Sequence, residues 1–222
     1  MRYAIVGVGV SRSFPEADPF VSKATKAEDA EILIYVGVPV TPDSAKKAIL
    51  IELGDEALAE HVGESGPSNV LGFARYRNGD DAPSQLIELV RQPAASEAAI
   101  HAAKTMFERS GFQVASSSDQ IGRIINRLVL PKYNAALRFL DEGLATQADM
   151  DLTCKLGLGY PDGPIERVVR GGLANHYGRT KALFETYGTS SYAPPRRALV
   201  AFNRLQGLAE KCRCPTSFSS PR

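Results

Sequence analysis

The stretch GRIINRLVLPKYNAALRFLDEGLATQADMDLTCKLGLGYPDGPIERV, residues 122–168, decides the fold of the C-terminal half. Apolar residues in it and just before it recur at the spacing of an amphipathic helix; they are Ile121, Ile124, Ile125, Leu128, Ala136, Leu137 and Leu140. Pro131 lies inside this pattern, and it predicts a kink or local break there. From residue 119 onward the chain is therefore predicted to be helical.

Further helix boundaries follow this segment. Thr146, with Asp149 three residues later, is typical of a helix N-terminus. The Gly/Pro turn at 156–164 ends with Pro164, which predicts the first position of another helix. Two more helices are predicted at about 173–187 and 195–211, and the tail after them, CRCPTSFSSPR, is predicted to be frayed.

The N-terminal half has a different pattern, in which short runs rich in Ile and Val alternate with helical segments. The strand-like runs are residues 4–8, 31–38, 47–53, 69–76, 85–91 and 111–116. Residues 96–111 predict a helix with Ser96 as its N-cap and Gly111 just past its end. This alternation indicates an α/β layer with a mostly parallel sheet. We therefore predict two domains, α/β over 1–118 and all-α over 119–222.

The composition of the chain argues against nucleic-acid-binding, membrane-bound and metal-binding functions. The chain has 222 residues, 44% hydrophobic and 23% charged, and a formal net charge of +1. That balance does not favour binding to nucleic acid or to an anionic membrane, and no apolar run approaches the roughly 18 residues of a membrane span. The cysteines, Cys154, Cys212 and Cys214, form neither a disulfide framework nor a metal-ligand set. We expect a cytoplasmic protein without a bound metal.

The N-terminus, MRYAIVGVGVSRSF, begins as a dinucleotide-binding fingerprint does, with a strand followed by Gly7 and Gly9. The third glycine of that fingerprint is replaced by Arg12, and residues 9–30 are poor in helix-forming signals. An acidic residue at the end of the second strand is also missing, since Glu28, Asp29 and Glu31 precede that strand. Gly7 and Gly9 are therefore either a cofactor loop or only a tight turn.

Residues 122–168 resemble the C-terminal helical domain of the 3-hydroxyacyl-CoA dehydrogenases. The resemblance rests on a Gly-x-x-x-Asn-Arg-x-x-x-Pro-x-x-Asn pattern, a Glu-Gly-Leu-Ala stretch with an Asp-x-Asp partner, and a Gly-x-Gly-x-Pro-x-Gly-Pro turn. These motifs fall on Gly122, Asn126, Arg127, Pro131, Asn134, Ala135, Ala136, Glu142, Gly143, Leu144, Ala145, Asp149, Asp151, Gly157, Gly159, Pro161, Gly163 and Pro164. The resemblance implies a Rossmann-like domain upstream, here a reduced one.

The resemblance continues more weakly in QLIELVR, where Glu88 takes the position of the family's catalytic glutamate. The family's histidine should precede it, and that position falls on Ala74, Arg75 or Tyr76, none of which is a histidine. The histidines of the chain, His61, His101 and His176, are expected to be solvated or capped surface residues.

The resemblance implies hydride transfer between NAD and the C3 carbon of an acyl-CoA. A histidine takes the hydroxyl proton in such a reaction, and a carboxylate orients its ring. Glu88 is therefore predicted to be a catalytic remnant whose histidine partner is absent. Asn126 matches the family's cleft asparagine and is a candidate substrate contact, although local bonding at a helix start explains it equally well.

Three functions remain open from the sequence. The first is an impaired 3-hydroxyacyl-CoA dehydrogenase half, like the second copy in duplicated members, which forms a homodimer or pairs with a catalytic half in CoA-ester β-oxidation of fatty or aromatic acids. The second is an active NAD-dependent dehydrogenase with a base other than histidine. The third is a non-redox acyl-CoA binder, in which Arg12, Arg75 and Arg77 meet phosphates.

Overall fold

The computed structural model describes residues 1–7, 11–15 and 17–213. Packing divides the chain into two compact units, with the boundary between Leu128 and Val129. The domain boundary predicted at residues 118 and 119 lies ten residues earlier and stays a prediction. None of the described helices is long and apolar enough to cross a membrane.

The first unit contains a six-stranded sheet. Its strands are β1 (Tyr3–Gly7), β2 (Ile32–Val36), β3 (Ala48–Glu52), β4 (Val70–Arg75), β5 (Leu86–Arg91) and β6 (Gln113–Ser118), in the spatial order β1-β2-β3-β4-β5-β6. Every neighbouring pair is parallel except β4 and β5, which are antiparallel. The helices of this unit are α1 (Pro19–Ser22), α2 (Ala59–Val62) and α3 (Glu97–Arg109). The predicted α/β layer with a mostly parallel sheet is confirmed.

β1 forms one edge of the described sheet. In a dinucleotide-binding Rossmann sheet the strand order is 3-2-1-4-5-6, so the first strand is central and the ligand binds where the order reverses. Here the order runs in one direction from β1, and the described strands contain no such reversal. The sheet is therefore Rossmann-like and reduced, as predicted.

Apolar side chains cover both faces of the sheet. On one face α3 packs through Ala103, Met106 and Phe107 onto the strands, and the Ser96 hydroxyl caps this helix by accepting from the backbone N–H of Ala99 at 3.2 Å. The same layer contains stacked rings, among them Phe14 and Phe20 with centroids 4.3 Å apart. The other face is covered by a smaller apolar cluster of buried residues: Ala4, Ala30, Leu33, Tyr35, Ile49, Ile51, Leu53, Leu58, Val70 and Val90.

The second half of the chain is helical. Its helices are α4 (Ile125–Asp141), α5 (Gln147–Leu158), α6 (Pro164–Arg170), α7 (Leu173–Tyr187) and α8 (Arg196–Arg213). Pro164 begins α6 as predicted, and the Thr146 hydroxyl caps α5 by accepting from the backbone N–H of Asp149. Of the kink or local break predicted at Pro131, the break is wrong, because α4 continues through this residue, and the kink stays a prediction. Buried side chains on both sides of the proline, Leu130 and Tyr133, hold the helix together by packing.

Candidate functional site

Glu88 lies in the middle of β5 and is only 4% exposed. Its Oε1 accepts hydrogen bonds from the backbone N–H groups of Ile124 and Ile125, each at 2.9 Å. Its Oε2 lies 3.7 Å from Nε of Arg123. A carboxylate at a helix start satisfies otherwise unpaired N–H groups and interacts favourably with the helix dipole. Glu88 therefore caps the beginning of α4.

The residue directly across from Glu88 in the antiparallel ladder is Ala74. Residues that face each other in this way have Cβ atoms about 4.5–5.5 Å apart, so a side chain at this position would be the natural partner of Glu88. Alanine has no group that accepts a proton. The register therefore identifies Ala74 as the cross-strand neighbour of Glu88 among the three positions considered for the missing histidine.

Arg75, the second of those positions, has a structural environment of its own. Its guanidinium donates from Nη1 to Oδ2 of Asp18 at 2.7 Å and to the carbonyl of Ser13 at 2.9 Å, and from Nε to the carbonyl of Ser84. It also lies 4.8 Å from the ring centre of Phe112. Arg75 thus ties the segment after β1 to the loop after β4. Tyr76, the third position, is half-buried.

The histidines lie in different settings. His61 is 3.3 Å from a carboxylate oxygen of Glu56, and His101 is 3.4 Å from the hydroxyl of Thr105 on its own helix.

His176 is buried, so the surface position expected for it is wrong. Its Nε2 lies 2.7 Å from Oδ1 of Asn134, and the Asn134 amide in turn donates to the carbonyl of Ser191. Burial lowers the pKa of His176 to about 4, so the ring is neutral at pH 7.

Gly7 ends β1, whereas Gly9 lies outside the described residues. A Cβ atom on Gly7 would lie 2.0 Å from the carbonyl oxygen of Val36 on the neighbouring strand. Backbone packing between β1 and β2 therefore requires a glycine at position 7, whether or not a cofactor binds there.

The segment after β1 is bound by a carboxylate of the protein. Oε1 of Glu52, at the end of β3, accepts from the Ser11 hydroxyl at 2.8 Å and from the backbone N–H of Ser13 at 2.6 Å. In dinucleotide-binding folds the N–H groups after the first strand face the pyrophosphate at the start of a helix. Here an anionic side chain takes up one such N–H group, that of Ser13. The only helix described between β1 and β2, apart from a single 3₁₀ turn, has four residues. These residues do not fit a bound dinucleotide.

Asn126 lies in the first turn of α4 and is half-buried. Its side chain makes no hydrogen bond with another residue in the described part of the chain. The local bonding considered for it is therefore not seen there, and its role as a substrate contact stays a prediction.

Within the helical unit, motif residues have structural partners. Asp151 on α5 is buried, and its two oxygens accept from the backbone N–H groups of Ile165 and Glu166 at 2.8 and 3.0 Å. Gly163 precedes α6, and a Cβ there would lie 2.2 Å from the Cβ of Asp151. The Asp-x-Asp and Gly-Pro motifs therefore lock α5 to the start of α6. Sequence reasoning missed this pairing. The usable signal was Asp151, a carboxylate on the predicted helix that precedes the Gly-Pro turn.

An apolar groove of about 390 Å³ lies in the same unit. Its lining comes from α4, α5, the loop between them and the start of α6, and it includes Ala135, Phe139, Leu144, Met150 and Cys154. Leu144 in this lining is 68% exposed, and further apolar residues of α5 are exposed beside it in the chain, with Leu152 at 53% and Leu156 at 79%. Within residues 1–7, 11–15 and 17–213, no three His, Cys, Asp or Glu side chains are grouped as metal ligands.

Comparison with known proteins finds a family model and relatives that this chain resembles. Residues 122–211 match the family model of the 3-hydroxyacyl-CoA dehydrogenase C-terminal domain. A 3-hydroxybutyryl-CoA dehydrogenase of Bradyrhizobium diazoefficiens is 29% identical in an alignment of 186 residues that covers 77% of this chain and 63% of that protein. The enzyme of the same name from Mycobacterium tuberculosis is 34% identical over 132 residues, 58% of this chain and 45% of that protein.

Solved structures share the fold. M. tuberculosis FadB2 superposes with a TM-score of 0.69 at 23% identity, covering 80% of this chain and 67% of that one. The (S)-3-hydroxybutyryl-CoA dehydrogenase PaaH1 of Ralstonia eutropha gives 0.63 at 18% identity, covering 82% and 66%. These structures share with this chain a Rossmann-like sheet followed by a helical domain. Residues 122–211 therefore match a 3-hydroxyacyl-CoA dehydrogenase C-terminal domain, and the chain spans 63% and 45% of the two relatives compared by sequence.

Proposed function

We propose that this chain is a catalytically impaired 3-hydroxyacyl-CoA dehydrogenase half, related to the second copy of duplicated members. Its work is to form a dimer, or to pair with a catalytic half and close that partner's acyl-CoA cleft. The observation that carries this proposal is that Glu88 caps α4 while Ala74 lies across from it. A carboxylate bonded in this way has no imidazole to orient.

The cofactor site supports the same proposal. NAD is the cofactor of the family. In a dinucleotide-binding fold the N–H donors after the first strand are free to bind the pyrophosphate, and the first strand has a neighbouring strand on each side. Glu52 binds Ser11 and Ser13 in that segment, and β1 lies at the edge of the sheet formed by the described strands. The loss of a general base alone lowers a rate by about 10²–10⁴. An active dehydrogenase with another base is therefore the weaker alternative.

We expect no turnover when NADH and acetoacetyl-CoA are mixed with the purified chain at high enzyme concentration. Nicotinamide absorbance is the measurement, a titration of NADH fluorescence tests binding separately, and an active family member is the positive control. Neither the wild type nor Glu88→Gln should exceed the background rate. Turnover that Glu88→Gln abolishes would overturn the proposal and make Glu88 catalytic.

The groove between α4 and α5 is the surface we assign to pairing, because contiguous exposed apolar area marks an interaction site. Leu144→Glu places a charge in this groove and should weaken self-association at least tenfold. Leu208→Glu is the matched control, since Leu208 is similarly exposed, at 59%, but lies on α8 outside the groove lining. Sedimentation velocity at micromolar concentration measures both. A wild-type monomer, tested with and without a catalytic relative, would contradict the assignment.

Asn126 favours the second candidate function, acyl-CoA binding without redox chemistry. Its half-buried amide has no hydrogen-bond partner among the described residues, so it is available to a ligand. Calorimetric titration with acetoacetyl-CoA distinguishes the two candidates. Binding of acetoacetyl-CoA that weakens in Asn126→Ala, without any binding of NADH, would support this second function. No heat of binding with acetoacetyl-CoA would contradict it and favour the pairing role.

A further inference from the structure

A small polar cavity of about 180 Å³ lies in the sheet unit beside α1. Its lining includes neither Glu88 nor Glu52. The polar side chains of its wall are Asp18, Lys23, Arg75, Gln85 and Ser110, and the aromatic ones are Phe20 and Phe112. Two of them are cations and one is an anion, so the wall carries a net positive charge.

Arg75 forms the buried side of this cavity, with its side chain only 5% exposed. A guanidinium has five N–H donors in a planar fork. The hydrogen bonds to Ser13, Asp18 and Ser84 use three of them, and a long contact of 3.4 Å from Nη2 to the carbonyl of Pro83 uses a fourth. One N–H of Nη2 is left for a ligand.

The open side of the cavity contributes more polar groups. Lys23 and Gln85 are exposed, and the Lys23 ammonium makes no ion pair or hydrogen bond with another described residue. The Ser110 hydroxyl donates to the carbonyl of Met106 at 2.9 Å, so its oxygen can still accept a hydrogen bond. These groups supply donors and one acceptor around a single small volume.

The negative charge of Asp18 does not cancel the preference for an anion that the donors and the net positive charge of the wall create. One of its oxygens accepts from the backbone N–H of Phe20 at 2.9 Å and the other from Nη1 of Arg75 at 2.7 Å. Its charge is therefore compensated within the wall, whereas the ammonium of Lys23 is not compensated by any described residue.

We propose that this cavity binds a phosphoryl oxyanion. Arginine and lysine together are the usual recognition pair for phosphate oxygens, because one offers a planar fork and the other a compact point charge. The cavity is smaller than the roughly 300–1,000 Å³ of sites for drug-sized ligands, so it accommodates a phosphate group and not an attached nucleoside. The proposal does not depend on the function proposed above.

The test is isothermal titration at low salt with inorganic phosphate and, in a second arm, with AMP. Lys23→Gln removes the free cation and Gln85→Glu adds a negative charge to the wall, and both residues are exposed, so the fold is retained. Each change should weaken phosphate binding at least tenfold. Lys26→Gln is the matched control, because this exposed lysine lies three residues along the chain and outside the cavity lining; it should change affinity less than twofold.

The two arms identify the source of the oxyanion. Tighter binding of AMP, lost in Lys23→Gln, assigns the cavity to the phosphate end of a larger molecule, and tighter binding of inorganic phosphate assigns it to the free ion. The proposal is overturned if neither ligand binds saturably. It is also overturned if Lys26→Gln weakens binding as much as Lys23→Gln, since the effect would then be one of general charge.

Discussion

Replacing Arg75 by methionine is expected to lower the free energy of unfolding of the sheet unit by about 3–5 kcal/mol, the cost of removing one partner from a buried ion pair. The guanidinium is enclosed by Asp18, the carbonyls of Ser13 and Ser84, and the ring of Phe112. Methionine fills a similar volume but donates no hydrogen bond, so a carboxylate and two carbonyls lose their partner. Urea unfolding followed by circular dichroism measures the loss.

Arg77→Met is the matched control for Arg75→Met. Arg77 also bonds to carbonyl oxygens, those of Asp80 and Asp81, but it lies in a loop and is half-buried. Its replacement should cost less than about 1 kcal/mol, as expected for an arginine that is not buried in an ion pair. Adding Asp18→Asn to Arg75→Met should recover part of the loss, because the uncompensated charge is removed. A loss below 1 kcal/mol for Arg75→Met would show that the buried pair contributes little to stability.

Much of the fold is predictable from the sequence because its signals are local. Strand-like runs such as 47–53 and 85–91 overlap β3 and β5, and the helix predicted at 173–187 coincides with α7. The position of β1 at the sheet edge is not a local property, since strand order depends on contacts that are distant along the chain. The break expected at Pro131 was wrong for a related reason, because tertiary packing outweighs the local cost of a proline.

The candidate site is only partly predictable. The family pattern predicts Glu88 as a catalytic remnant, and this role stays a prediction. That residues 74–76 contain no histidine can be read directly from the sequence. The capping of α4 by Glu88 depends on a register between elements 36 residues apart. The anchoring of Ser13 by Glu52 spans 39 residues. No periodicity or spacing rule connects residues at such separations.

The family motif can persist in a chain without the catalytic histidine because several of its residues have structural partners. Gly122 has a φ of 79°, which favours glycine, and it leads into the turn before α4. Asn134 links α4 to His176 and to Ser191. Each of these contacts stabilises the fold independently of catalysis. A family match over residues 122–211 is therefore compatible with a chain that does not turn over substrate.

Asp151→Ala is expected to have the other large effect, a loss of about 2–5 kcal/mol in the stability of the helical unit. The substitution leaves the N–H groups of Ile165 and Glu166 without their acceptor, and an unsatisfied buried donor costs about 1–3 kcal/mol. Ile165 is 1% exposed, so water does not readily replace the carboxylate at its N–H group. Thermal and urea unfolding measure the loss, and hydrogen exchange of the amides at 165 and 166 locates it.

Asp149→Ala is the matched control for Asp151→Ala, because it removes an exposed carboxylate two residues away on the same helix. The exposed carboxylate of Asp149 accepts from the Thr146 hydroxyl at 2.6 Å, so its loss should cost less than about 1 kcal/mol. Gly163→Ala tests the same contact from the other side, since the added Cβ would overlap Asp151. Equal, small losses in Asp151→Ala and Asp149→Ala would mean that α6 begins without help from the buried carboxylate, and Asp151 would then need a different explanation.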